Sequence, residues 1–293
     1  MQGDLISGVL LPLILAFIMF SLGLGLTVGD FQRIFTQPRA LLVGVVCHFV
    51  LLPLACFLLL SAWGMTGVFA VGFMILAACP TGSTSNLLTY LARGDVALAL
   101  SFTAVASVAT IFTLPLVVTW ALGHYLGAAR AVDVPVGLMM GQVAMVLGLP
   151  VSAGMWVRHR WGAWARAFEP RATRIATVLF VLIVVLAVLK NWALLRDNFA
   201  SLAPFALLLN LSMLAVGFAM ARAVRLSRSQ SVTLGIETAV QNAALALVIA
   251  STVLKDDAMA IPGALYGVLM YAGGLLFALA MRRLLPPVAA PVH

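Results

Sequence analysis

Glu237 is the residue of this 293-residue chain whose setting most clearly indicates chemistry. It lies inside an apolar stretch, and Thr238, Gln241 and Asn242 follow it closely. A carboxylate inside a hydrophobic membrane span is costly, and by default it faces a partner, an ion or a water-filled cavity. The alternative is a basic partner in a neighbouring helix, but no Lys or Arg is predicted at that depth. We therefore expect Glu237 to belong to a transport site.

A second group of small and polar residues, CPTGSTSN, covers positions 79–86 of another apolar stretch. Pro80 removes a backbone N–H and disfavours helix just before it, while Gly82 permits an unwound turn. Two interrupted helices in corresponding halves of a chain are typical of secondary transporters. Their unwound carbonyls offer oxygen to a cation, and their half-helix N-termini offer N–H groups to an anion. An ordinary proline kink is the alternative.

The composition requires a membrane around both groups. Hydrophobic residues make up 63% of the chain and charged residues only 9%, which excludes a water-soluble core. The apolar runs do not alternate with polar residues as β-barrel strands do. Polar breaks divide the chain into nine predicted membrane-spanning helices, over 6–28, 39–62, 66–92 (broken near 80–86), 95–123, 134–157, 172–191, 200–222, 230–254 (broken near 236–242) and 259–284.

The basic residues predict the orientation of these spans. Of the seventeen Lys and Arg residues, four would face outward, and the remaining thirteen would face the cytoplasm if the N-terminus is outside. The outward four are Arg130, Lys190, Arg196 and Lys255. We expect an integral protein of the plasma membrane, the inner membrane in a bacterium, with a cytoplasmic C-terminus. The N-terminus has Asp4 and no basic residue before Arg33, so the first apolar run is expected to be retained.

The other charges and the cysteines indicate no further kind of site. The three cysteines lie in apolar stretches, so neither disulfides nor a metal cluster is expected. No basic patch is interleaved with aromatic residues, and we expect no nucleic-acid partner. Arg93-Gly94-Asp95 is interpreted as a cytoplasmic turn.

The motif CPTGSTSNLLTYLARGDVALALSFT, together with GIETAVQN and the upstream HFVLLP, resembles the bile acid:sodium symporter family over almost the whole chain. The resemblance implies an all-α fold of two inverted repeats, arranged as a core and a panel domain with two crossing broken helices. The first repeat would cover about 1–130, lacking one helix, and the second about 131–293.

The resemblance also assigns residues to two sodium ions and a substrate. The first sodium site would comprise Ser85, Asn86, Thr103 and Glu237. The second would comprise Glu237, the backbone of Thr238 and Val240, Gln241 and His48. The candidate substrate contacts are Ser83, Thr84 and Asn242.

Three positions depart from the family pattern. Ala99 stands where relatives often have a serine ligand, so a backbone carbonyl, a water or nearby Ser101 would substitute. His48 stands where relatives carry glutamine, and it either contributes weakly or makes the site sensitive to pH. Thr81 replaces a common glycine and leaves the unwound backbone less free.

The sequence therefore predicts sodium-coupled import of an organic anion, such as a bile acid or a small carboxylate, by alternating access. Na⁺ would be the coupling ion, and we expect neither a cofactor nor an enzymatic reaction. Three alternatives remain: proton coupling through Glu237 and His48, an intramembrane hydrolase using a serine near 81–85 with His48, and a substrate-sensing receptor without transport.

Overall fold

The computed structural model describes residues 9–127 and 135–284, and these ranges are helical apart from short connections and one isolated β-bridge. The helices are α1 (Leu11–Gly25), α2 (Val28–Thr36), α3 (Pro38–Trp63), α4 (Gly67–Ala78), α5 (Ser85–Leu91), α6 (Val96–Leu126), α7 (Val136–Arg160), α8 (Gly162–Lys190), α9 (Trp192–Ala223), α10 (Arg228–Ala239), α11 (Ala243–Val253) and α12 (Ala260–Leu284). Asp4, Arg130 and the predicted repeat boundary near 130 lie outside the described residues.

Six of these helices are long and apolar enough to cross a membrane, namely α3, α6, α7, α8, α9 and α12. Three others, α1, α4 and α11, are apolar but shorter. Each predicted span overlaps one described helix or one pair of helices. The chain is therefore an all-helical integral membrane protein.

Two helical segments differ from the predicted pattern. Helix α2 was not predicted, because its signal is a capping box and not an apolar run: the Asp30 carboxylate accepts hydrogen bonds from the Thr27 backbone N–H and hydroxyl, both at 2.8 Å. Helix α8 begins at Gly162, ten residues before the predicted span. Its first turns carry Arg166 and Arg171, so hydropathy alone does not detect them.

The described helices form two groups. Helices α1, α7 and α8 pack closely together, and Gly23 and Gly154 permit the contact between α1 and α7. A Cβ at Gly23 would lie 2.2 Å from the Val151 carbonyl oxygen, and one at Gly154 would lie 2.3 Å from the Phe20 carbonyl oxygen. Small residues bring membrane helices together in this way.

The second group is built around α9, α10 and α12, with α4 packed against α6 and α11 against α12. Gly217 allows α9 to approach α10, because a Cβ there would lie 2.7 Å from the Leu234 carbonyl oxygen. Every residue of α10 from Ser231 to Ala239 is buried. This group contains both helix interruptions.

Candidate cation and substrate site

The two interruptions lie against each other and pair as short antiparallel segments. The Gly82 N–H donates to the Val240 carbonyl at 3.0 Å, and the Asn242 N–H donates to the Pro80 carbonyl at 2.8 Å, on either side of a bridge between Thr81 and Gln241. Non-helical backbone at membrane depth needs such internal partners. The crossing of the two segments therefore satisfies its own polar groups.

The approach of the two segments depends on Gly82. A Cβ at this position would lie 2.9 Å from the Gln241 carbonyl oxygen, closer than side chains normally come. Asn242 stabilises the other segment, since its Oδ1 accepts from the Leu245 N–H at 3.0 Å and caps α11. The second interruption thus forms without a proline.

Both interruptions are shorter than predicted. Helix α4 ends at Ala78 and α5 begins at Ser85, so Ser85 and Asn86 lie in the first turn of α5. Helix α10 continues to Ala239, because the Val240 N–H still bonds to the Ile236 carbonyl at 2.9 Å. Glu237 consequently lies in the last turn of α10, inside the helix and not in the unwound segment.

The Glu237 carboxylate is fully buried where the C-terminal ends of α4 and α10 meet. The Thr103 hydroxyl donates to its Oε2 at 3.3 Å, and the hydroxyls of Ser85 and Thr81 lie within reach of the same carboxylate. Both ion pairs of the described residues lie elsewhere, so no Lys or Arg side chain neutralises Glu237 there. Helix C-termini carry partial negative charge, and together with the carboxylate they favour a cation.

Several buried oxygen atoms of this carboxylate, of the two interruptions and of the first turn of α5 have no hydrogen-bond partner. They are Thr81 Oγ1, Ser85 Oγ, Asn86 Oδ1, Glu237 Oε1 and Gln241 Oε1. Buried polar atoms in proteins are nearly always paired. Hydroxyl, amide and carboxylate oxygens are the ligands that hard cations prefer, so this set fits Na⁺.

Three of the four residues predicted for the first sodium site, Ser85, Thr103 and Glu237, come together. Thr103 donates to the Glu237 carboxylate, and the Ser85 hydroxyl lies within reach of it. Asn86, whose Oδ1 is unpaired, is the next residue after Ser85 in α5. Ser101, suggested as a substitute ligand, instead donates its hydroxyl to the Ala97 carbonyl at 2.9 Å. Ala99 is fully buried and offers no side-chain oxygen.

The residues predicted for the second site also lie together, but their polar atoms are mostly paired with one another. The Thr238 carbonyl accepts from the Gln241 side-chain amide at 2.8 Å, and the Val240 carbonyl accepts from Gly82. His48 lies in a π-helical turn of α3, with Nε2 2.9 Å from the Cys79 carbonyl oxygen and Nδ1 3.1 Å from that of Glu237. His48 thus joins the ends of α4 and α10.

A small cavity of about 40 Å³ lies beside the crossing, between the two helix groups. The three predicted substrate residues, Ser83, Thr84 and Asn242, all line it, and none of its lining residues is charged. The N-terminus of α11 opens on it, where partial positive charge favours an anion.

Other residues of the cavity were missed at the sequence level. They are contributed by α1, α8 and α12, and include Met19, Thr177, Phe180 and Tyr271. The Tyr271 hydroxyl lies 3.0 Å from that of Thr84. No pattern distinguishes them, because each is a single residue in an apolar span.

Known proteins resemble the chain along most of its length. Residues 12–198 match the model of the Sodium Bile acid symporter family. The chain is 29% identical over 93% of its length to a probable chloroplastic sodium/metabolite cotransporter of Oryza sativa subsp. japonica. It is 30% identical over 62% to the ileal sodium/bile acid cotransporter of Oryctolagus cuniculus, and 27% identical over 84% to a sodium-dependent organic anion transporter of Rattus norvegicus. The matches cover 66%, 52% and 66% of these relatives, less than two thirds of each.

Proposed function

Because the chain belongs to the sodium bile acid symporter family, we propose that it imports an organic anion together with Na⁺. The observation that carries this proposal is the fully buried Glu237 carboxylate, which faces unpaired oxygen atoms and no basic side chain in the described part of the chain. The family is one of transporters, so the hydrolase alternative is not retained.

The proposed ion sites are those of the sequence prediction. The first Na⁺ would bind Ser85, Asn86, Thr103 and Glu237, and the second would bind Glu237, Gln241, the Thr238 and Val240 carbonyls, and His48. A carbonyl oxygen has two lone pairs, so its hydrogen bond leaves one for a cation. Each positive charge crossing the bilayer contributes about 2.3 kcal/mol per 100 mV, so two Na⁺ with one monoanion would be electrogenic.

The crossing provides a route by which the ion and the anion affect each other. The unwound segment of residues 79–84 brings the Thr81 hydroxyl within reach of Glu237, while Ser83 and Thr84 line the cavity. Gln241 and Asn242 both line the cavity, and the Gln241 side-chain amide also donates to the Thr238 carbonyl. A cation that binds at Glu237 and orders these two segments would therefore also fix the positions of the residues that line the cavity, where the anion would bind.

Alternating access would use the two helix groups. We propose that α1, α7 and α8 form the panel and the second group forms the core, in a chain of nine crossings with its C-terminus in the cytoplasm. The cavity lies between the groups. At the predicted outer face, Lys190 of α8 pairs with Asp257 before α12 at 2.6 Å and joins the groups there.

The test is uptake by purified protein in proteoliposomes, with a panel of radiolabelled anions from taurocholate to small hydroxy and keto acids. We expect at least one anion to accumulate under an inward Na⁺ gradient and not under a matched K⁺ gradient. Equal anion uptake with and without a Na⁺ gradient would contradict the proposal, and uptake driven by a proton gradient alone would support proton coupling. Sodium-dependent anion binding without accumulation would indicate a receptor.

A further inference from the structure

Thr81 occupies the centre of the crossing, yet its side chain has no assigned role. Its backbone forms the bridge with Gln241, and its side chain is 0% exposed. The Oγ1 atom makes no hydrogen bond. A buried hydroxyl without a partner is destabilising, so the atom calls for an explanation.

Two threonines of α10 do not share this property. The hydroxyls of Thr233 and Thr238 donate to carbonyls one turn earlier in α10, at 3.0 and 2.7 Å. Thr81 follows Pro80 in extended backbone, where no carbonyl four residues earlier is within reach. Its hydroxyl therefore stays available while its neighbours are satisfied within their own helix.

The position of the Thr81 hydroxyl indicates which site it can join. It lies within reach of the Glu237 carboxylate, as Ser85 does, and both hydroxyl oxygens lack a hydrogen bond of ordinary geometry. A β-branched side chain has few χ1 rotamers, so the oxygen is held in place. On α6, Ala99 lies one turn before Thr103 on the same face and contributes no side-chain oxygen.

We propose that Thr81 Oγ1 is a further ligand of the cation held by Glu237 and Ser85, and that it supplies from the unwound segment the side-chain oxygen that Ala99 of α6 lacks. The inference rests on the proposed function, because it assigns a ligand to that same site. In this chain, the residue that restricts the unwound backbone also completes the ion's coordination.

The test is the stabilisation of detergent-purified protein by NaCl against choline chloride, measured as the concentration giving the half-maximal shift in melting temperature. Thr81→Val keeps the branched shape and removes the oxygen. We expect this concentration to rise about tenfold, the effect of losing one ligand to a charged group. Thr81→Ser, which keeps the hydroxyl, should stay within about threefold of the unmodified protein.

Thr110→Val is the matched control, since Thr110 is also fully buried with an unpaired Oγ1 but lies nearly two turns beyond Thr103 on α6. It should leave sodium stabilisation unchanged. Thr81→Ala serves as a second oxygen-free variant if valine prevents folding. Adding Ala99→Ser to either oxygen-free variant should recover part of the affinity.

Two outcomes would overturn the inference. In the first, Thr81→Val and Thr81→Ala respond to sodium as Thr110→Val does. In the second, Thr81→Ser loses as much sodium affinity as Thr81→Val. Glu237→Gln in the same assay separates this failure from failure of the proposed function. If Glu237→Gln loses the sodium response and the Thr81 variants keep it, only the role of Thr81 is wrong. If Glu237→Gln keeps the response too, the cation site itself is wrong.

Discussion

Helices α8 and α10 reverse the relation between polarity and burial that holds in water-soluble proteins. The best window of α8 has a mean hydropathy of 2.6, yet only 22% of it is buried. Helix α10 carries Ser231, Thr233, Glu237 and Thr238, yet every residue from Ser231 to Ala239 is buried. Lipid tails are as apolar as leucine, so an apolar face is stable toward lipid and polar groups must lie inside. The polar helix is therefore the one that marks the site.

The largest expected effect comes from giving α8 the polarity of α10. Val181 lies near the middle of the predicted span 172–191 and is 53% exposed. Val181→Lys should disfavour membrane insertion by about 2.5–3.5 kcal/mol, because a lysine there would lie at the centre of the bilayer. The measurement is the inserted fraction in a glycosylation-mapping assay. Val181→Ala is the control, and equal insertion of both variants would show that α8 does not face lipid.

The next effect concerns the contact between the two interrupted helices. Gly82→Val would place a side chain against the Gln241 carbonyl and should destabilise the crossing by about 1–3 kcal/mol. Sodium-dependent uptake should fall about tenfold or more. The control is Gly141→Val on α7, where a Cβ would meet nothing within 4 Å. Equal activity of the two variants would mean that the close approach of the segments is not needed for transport.

The smallest effect is expected at the outer end of α8. Lys190 and Asp257 have side chains 46% and 35% exposed, and pairs of this kind contribute about 0–1 kcal/mol. Lys190→Met should leave the melting temperature nearly unchanged but alter the rate of sodium-driven uptake, because the pair joins the two helix groups. Asp197→Asn, which breaks the Arg196–Asp197 pair within α9, should change neither quantity. An unaltered uptake rate in Lys190→Met would remove the pair from the transport cycle.

The sequence predicts those features that depend on local composition. Long apolar runs predict the span positions, Pro80 and Gly82 predict an interruption, and Glu237 is conspicuous because no loop contains it. The remaining features depend on tertiary contacts. The pairing of Gly82 with Val240 and the contact of His48 with Glu237 join residues more than 150 positions apart. The cavity residue Tyr271 likewise has no local signal.

The most direct test of the account is equilibrium binding of radioactive sodium to the purified protein and to two glutamine variants. Glu237→Gln removes the buried carboxylate of α10, and Glu169→Gln removes a carboxylate of α8 away from the crossing. The account predicts saturable sodium binding by the unmodified protein and by Glu169→Gln, and binding at least about a hundredfold weaker by Glu237→Gln, since a charged ligand is lost from a buried site. Unchanged sodium binding by Glu237→Gln would contradict the account.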